Sequence, residues 1–158
     1  MSRGPGELLT GERQGVLATV SARRAGWPFA SVTPFALSAA GEPLLLLSDL
    51  AEHTRNIRAD PRVSLLVQDG SSAEDPQAGA RVTLLGVLEP VSSAEIGAAQ
   101  TRYVHHHPQA AEYLSMTDFH LYVLRVSEAR FIGGFGDMGW IDGQTLRAEI
   151  NKSKTPFD

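Results

Sequence analysis

The 158-residue sequence contains no cysteine. That absence removes disulfides, thiolate-bound zinc and thiol catalysis together. It also lacks an excess of positive charge. Fourteen Lys and Arg against eighteen Asp and Glu give a formal net charge of -4, which argues against a non-specific grip on nucleic-acid phosphates. No apolar run approaches the roughly 20 residues that cross a bilayer as a helix. The apolar segment from Gly15 to Ser21 is too short and has no signal-peptide layout around it. The expectation is therefore a cytoplasmic protein without nucleic-acid or membrane partners. Ser31, Ser48 and Ser64 have no nucleophile-elbow sequence around them. Glu52 and His53 are adjacent, and adjacency on a helix separates two side chains instead of pairing them. No hydrolase constellation emerges.

What is present is an ordinary globular composition, 42% hydrophobic and 20% charged. At this length it predicts one domain over residues 1–158 with a sizeable core. The most informative stretch is residues 44–58. Four leucines, Leu44 to Leu47, predict a buried strand that stops at Ser48 and Asp49, where a helical pattern begins. Ser48 or Asp49 is placed to cap that helix by accepting bonds from its free first-turn N–H groups. Leu50, Thr54 and Ile57 recur near helical spacing and are expected to face inward. A strand feeding a helix N-terminus, with hydroxyls, a histidine and arginines nearby, suits an anion such as a phosphate. The same pattern also describes a capped surface helix with solvated arginines.

The rest of the chain supplies the frame. Glu7 to Gln14 predicts a short helix, and residues 15–21 show a weak period-2 alternation. Trp27 and Pro28 lead into a strand with Phe29, Ser31, Thr33 and Phe35 on one face. Pro34 cannot donate to a ladder, so that strand is bulged or lies at a sheet edge. Further strands are expected over residues 62–68, 81–89 and 119–130, the last being the longest. Residues 69–79 are rich in turn formers and predict an exposed loop. Helical sections are expected from Ser92 or Ser93 towards His107, and again after Pro108. No element is assigned between Gly136 and Asn151, and the tail beyond is expected to fray. Strands joined mostly by short turns, with helices at two crossovers, predict a mainly β (α+β) domain, a small antiparallel barrel with flanking helices.

Three other features carry weaker signals. Consecutive residues on a helix diverge, so His105, His106 and His107 cannot readily chelate one metal. They read best as surface histidines. Gly133, Gly134 and Gly136 around Phe135 match neither a Walker loop nor a dinucleotide fingerprint. They fit a strand-ending kink, or a loop presenting Phe135 to a planar ligand. Trp27 and Trp140 serve equally as packing anchors or ring neighbours.

Taken in order, these segments resemble the flavin-binding split-barrel superfamily that includes pyridoxamine 5′-phosphate oxidase, and most closely its haem-utilisation branch. The residues that carry the resemblance are Trp27 to Phe35, Leu47 to Ile57, Asp60 to Leu65, Arg81 to Gly86, Asp118-Phe119, and Gly134 to Gly136. Together they span about residues 8–142. The resemblance implies an antiparallel split β-barrel of the FMN-binding type and a homodimer with the cofactor at the subunit interface. Ser31 and Thr33 are implied to run along the flavin, and Ser48, His53, Thr54 and Asn56 to surround its phosphate and ribityl chain. Arg81 is implied to contact the cofactor from a strand. Glu52-His53 stands where the oxidase has an Arg-Lys phosphate pair. No counterpart of the oxidase's C-terminal substrate motif follows Gly136, nor is the C-terminal iron-ligating histidine of haem-degrading relatives found up to Asp158.

The expected function is that of an FMN-dependent oxidoreductase using a small-molecule electron donor or substrate. Deazaflavin and haem are the lesser cofactor readings, no metal site is expected, and no side chain is assigned as a catalytic acid or base. Phe135 or Trp140 would then control access to the ring. The alternatives are a non-enzymatic split-barrel binding module, as the cellular-repressor-like relatives are understood to be, and a haem-binding or haem-degrading protein.

Overall fold

A computed structural model describes residues 3–71, 74–134 and 136–154; Phe135 lies outside the described residues. The chain begins with α1 (Pro5–Gly11), then β1 (Gln14–Val20), β2 (Pro28–Pro34), β3 (Ala36–Leu37) and β4 (Pro43–Ser48). Helix α2 (Glu52–Ala59) leads into β5 (Arg62–Gln68) and β6 (Arg81–Pro90). Helices α3 (Ile96–His106) and α4 (Ala110–Leu114) precede β7 (Phe119–Ile132), β8 (Met138–Asp142) and α5 (Gly143–Ser153). The strands form one antiparallel sheet in the order β2-β1-β5-β6-β7-β4-β3, with β8 paired to β7. It curls into the half-barrel that the mainly β, split-barrel reading predicts.

Two hydrophobic layers hold this sheet. Inside the curl, Leu17, Leu45, Leu47, Leu65, Val82, Leu84 and Leu124 are buried together with Leu8, Leu9, Leu146 and Ile150 from α1 and α5. On the outer side, Leu44, Leu46, Leu121 and Val123 pack against Ala99, Tyr103 and Ala110 of α3 and α4. The leucine run of β4 is thus apolar throughout because both of its faces are covered. By contrast, β1 and β5 alternate: Leu17 and Thr19, then Val63, Leu65 and Val67, point inward. Strand β7 carries the curl, pairing with β4 along its first half and β8 along its second, with β6 on its other side.

The register of β6 on β7 shifts between Leu85 and Gly86. A Cβ at Gly86 would sit 2.1 Å from the Arg125 carbonyl oxygen, far inside van der Waals contact. Here the glycine allows a close approach of two backbones at a bulge. Gly86→Ala is expected to lower stability by about 1–3 kcal/mol by overpacking. A urea titration checks this, and an unchanged midpoint would show that the bulge relaxes freely.

Several local expectations are corrected. Helix α2 starts at Glu52, with Ala51 as its N-cap residue and no side-chain cap. Ser48 Oγ instead accepts from the Leu50 N–H at 3.1 Å in the preceding turn. Leu50 is therefore outside the helix and 73% exposed, whereas Thr54 and Ile57 do face inward. Helix α5 has no counterpart among the expected elements. Its N-cap is Asp142, whose carboxylate accepts from the Thr145 N–H at 2.8 Å, and Leu146 and Ile150 bury it against the barrel. Among the described residues no helix is long and apolar enough to cross a membrane.

Candidate functional site

The edge strand β2 has no neighbour beyond β1, as the position of Pro34 predicts. Its residues are largely exposed on both faces, with Val32 at 66%, and only Thr33 is buried. A strand this open is unusual for a β-branched, apolar sequence. Opposite it stands the start of α2. Ser31 Oγ and His53 Nδ1 are 3.2 Å apart and tie the two elements together. Between them lies a groove of about 260 Å³ whose walls include Val32, Leu46, Tyr103, Tyr113 and Phe119, with Thr33, Ser48, His53 and His107 contributing polar atoms.

Burial lowers the pKa of the His53 imidazole below its ordinary value, so the ring is neutral at pH 7. Tyr103 is buried beneath the groove. Burial pushes its phenol up to about 12, against the lowering effect of a hydrogen bond with the Leu46 backbone, so it remains a phenol at physiological pH. His107 is only 5% exposed, and its Nε2 lies 2.7 Å from the Phe35 carbonyl oxygen. Its ring packs on Tyr103 with centroids 4.9 Å apart. The reading of all three consecutive histidines as surface groups therefore fails for His107. Ala99, Tyr103 and His107 recur every four residues along one buried face of α3, and that spacing is the signal that could have found it.

The structure brings Ser31, Thr33, Ser48 and His53 around one groove and gives the other sequence-predicted site residues different work. Thr54 is fully buried, and its hydroxyl donates to the Ser48 carbonyl oxygen at 2.6 Å. Asn56 is fully buried, donates to Thr19 Oγ1 at 2.9 Å and accepts from the Ala22 N–H at 3.0 Å. It holds α2 against β1. Ser48 Oγ donates to Asp118 at 3.0 Å. Arg81 donates to the carbonyl oxygens of Pro76, Gln77 and Gly79. It pairs with Ile132 of β7, whereas Ser48 pairs with Phe119. That separation of thirteen strand residues amounts to roughly 40 Å along β7, so one chain does not bring Arg81 to the groove. Trp27 and Trp140 are exposed, each below an arginine, Arg24 at 4.3 Å and Arg130 at 5.6 Å.

A larger cleft, about 990 Å³, opens on the other side of Phe119. None of the sequence-predicted site residues lines it, and its Arg58 and His120 side chains are already engaged. Arg58 and His120 both meet Asp49, at 2.5 and 3.2 Å.

Comparison with known proteins adds four findings. The sequence matches the family described as "CREG, beta-barrel" over residues 6–147. It is 32% identical over 149 residues to the non-canonical heme oxygenase HOZ of Arabidopsis thaliana chloroplasts, covering 93% of this chain and 44% of that protein. It is also 30% identical over 134 residues to the heme oxygenase HutZ of Vibrio cholerae, covering 82% of this chain and 74% of that one. Among solved structures, a heme binding protein from Mycobacterium smegmatis superposes with a TM-score of 0.84 at 36% identity, over 94% of this chain and 62% of that chain. This chain thus spans less than half of the Arabidopsis protein and under two thirds of the mycobacterial one.

These relatives overturn the expectation of FMN, and of a deazaflavin, as the cofactor: the proteins this chain resembles are named for haem. The local chemistry explains why the flavin reading misled. The hydroxyls and amide assigned to a phosphate are spent on protein partners, and the first turn of α2 carries the acidic Glu52.

Proposed function

The chain belongs to the CREG β-barrel family, and from that premise we propose that it binds haem in the groove between β2 and the start of α2. Haem is a planar, largely apolar ring whose iron takes an imidazole nitrogen. The carrying observation is a half-buried histidine, held neutral by its burial, at an apolar groove. Val32, Leu46, Tyr113 and Phe119 supply walls for the ring, and His53 and His107 are the imidazoles beside it. Bound haem supplies the redox-active iron. The chain's own residues bind the ring, exclude water from it and fix its orientation.

At about 260 Å³ the groove falls just below the roughly 300–1,000 Å³ usual for small-molecule sites. One chain therefore covers only part of the ring. The open strand β2, with Val32, Phe29 and Trp27 exposed, is the surface a second copy would cover. The proposed assembly is a homodimer with haem at the interface, related by a two-fold axis. The names of the Arabidopsis and Vibrio relatives extend this reading to haem breakdown as the reaction class.

Absorption titration of the purified protein with haem is the test. We expect a saturable Soret change at one haem per chain, together with a dimer by light scattering. Adding a reductant in air should make the band decay. A linear, unsaturable titration would overturn the proposal.

A further inference from the structure

Two cavities meet at one side chain. Among the described residues, Phe119 alone lines both the groove of about 260 Å³ and the cleft of about 990 Å³. We infer that Phe119 determines what the groove admits. Its ring is a movable partition, and its displacement joins cleft to groove as one site for haem. This inference rests on the haem-binding reading of the groove.

Size comes first. The groove alone falls below the range usual for small-molecule sites, whereas the cleft stands at its upper end. A macrocycle with its substituents outgrows the groove. A second copy laid on β2 covers the groove's open side, and the cleft extends it through its wall. The chemistry of the cleft suits the overhanging part. Ile57, Val87, Leu88, Ile96, Leu114 and Leu121 give it apolar walls. Haem also carries carboxylates on one edge. Among the described residues no lysine or arginine lines the groove, while Arg58 lines the cleft. Its Nη2 meets Asp49, but a guanidinium has five N–H donors, and the side chain is 53% exposed. Glu89, the carboxylate on the cleft wall, is paired with Arg125 at 2.8 Å.

The way Phe119 is held lets its ring move while its main chain stays. It opens β7 opposite Ser48, the last residue of β4. The preceding Asp118 is fixed twice: its carbonyl oxygen accepts from the Asp49 N–H at 2.7 Å, and its carboxylate accepts from the Ser48 hydroxyl at 3.0 Å. The ring itself is half-buried. Its aromatic neighbour is Tyr113, 43% exposed on the short helix α4, with centroids 5.1 Å apart. Rotamer changes of exposed side chains are fast. Met116, on the cleft side, is unbranched and adaptable enough to repack behind the displaced ring.

A fixed wall predicts the opposite sign. Removing a ring that only contacts haem weakens binding and does not speed it. Removing a partition that must first swing aside speeds association and tightens apparent affinity, because the competent state no longer has to be selected.

The experiment is stopped-flow absorption with haem on four proteins: the parent, Phe119→Leu, Phe119→Ala and Phe119→Trp. Phe119→Ala should associate about tenfold faster, the gain expected if the partition stands open about a tenth of the time. Phe119→Leu should fall between it and the parent, and Phe119→Trp should associate about tenfold slower. Zinc protoporphyrin, a diamagnetic ring of the same outline, gives the second readout. Bound to parent protein with carbon-13 at its methionine methyls, it should show a nuclear Overhauser contact with Met116. Circular dichroism melts confirm that each protein folds, and Phe119→Leu keeps apolar packing if the alanine variant is weakened. Saturable haem binding with equal rates in all four proteins overturns the inference and leaves haem binding standing. So does a folded Phe119→Ala that binds more weakly and no faster, or a bound ring without contact to Met116. A parent protein that takes up no haem overturns both.

Discussion

Replacing Asn56 by leucine should lower the unfolding free energy by about 2–4 kcal/mol. The side chain is fully buried, and both of its polar ends are matched, the amide nitrogen to Thr19 Oγ1 and the oxygen to the Ala22 N–H. Leucine is close in volume, so the change removes hydrogen bonds without opening a large cavity. What remains is a main-chain N–H without its partner and a buried threonine hydroxyl that keeps only its 3.4 Å bond to the Phe29 carbonyl oxygen, and a group deprived of its partner costs roughly 1–3 kcal/mol. Ala22 lies at the surface and regains part of its loss from water, which keeps the sum below the upper limit. The consequence also reaches the groove. Asn56 sits less than one turn beyond His53 on α2, so loosening it from β1 frees the helix that presents the imidazole. Urea denaturation reports the stability, and haem titration of the still-folded fraction reports the groove. A variant with the parent's denaturation midpoint would show that Asn56 does not tie α2 to the barrel.

The second large effect has the opposite character, with binding lost and stability kept. Val32 is 66% exposed on an edge strand and lines the groove. Val32→Glu should therefore change the unfolding free energy by no more than about 0.5 kcal/mol, as surface substitutions usually do. If a haem ring and a second copy both cover this residue, the new carboxylate must leave water without a partner, at a cost of several kcal/mol. Haem affinity should fall on the order of a hundredfold, and the dimer should dissociate at the same protein concentration. Light scattering and absorption titration on one preparation measure both. Unchanged affinity would place the ring elsewhere, and an unchanged dimer would place the interface away from β2.

Much of this fold was legible in one dimension. The leucine run of β4 announced a buried strand, Pro34 announced a bulge or an edge, and the longest alternating segment became the strand on which the barrel turns. The resemblance marked Ser31 on the strand after Pro28 and His53 on the helix after Asp49, and the structure joins them. Less legible were the roles of residues whose chemistry admits more than one partner. Thr54 and Asn56 carry hydrogen-bonding groups that suit a phosphate as well as they suit a backbone carbonyl or a threonine. Only the packing of α2 on β1 shows that the protein itself uses them.

The pattern of apolar and polar residues by itself determined the antiparallel, mainly β domain, because burial of alternating or continuous apolar runs depends on local periodicity. It also singled out the turn from β4 into α2, whose Ser48 and His53 line the groove. The tertiary structure alone decided that His107 is buried while His105 is exposed, that Arg81 stands far from His53 within one chain, and that Tyr113 and Phe119 wall the groove. Those facts depend on which residues distant in sequence come to share one space. Sheet register and helix docking set that, and spacing along the chain does not record it.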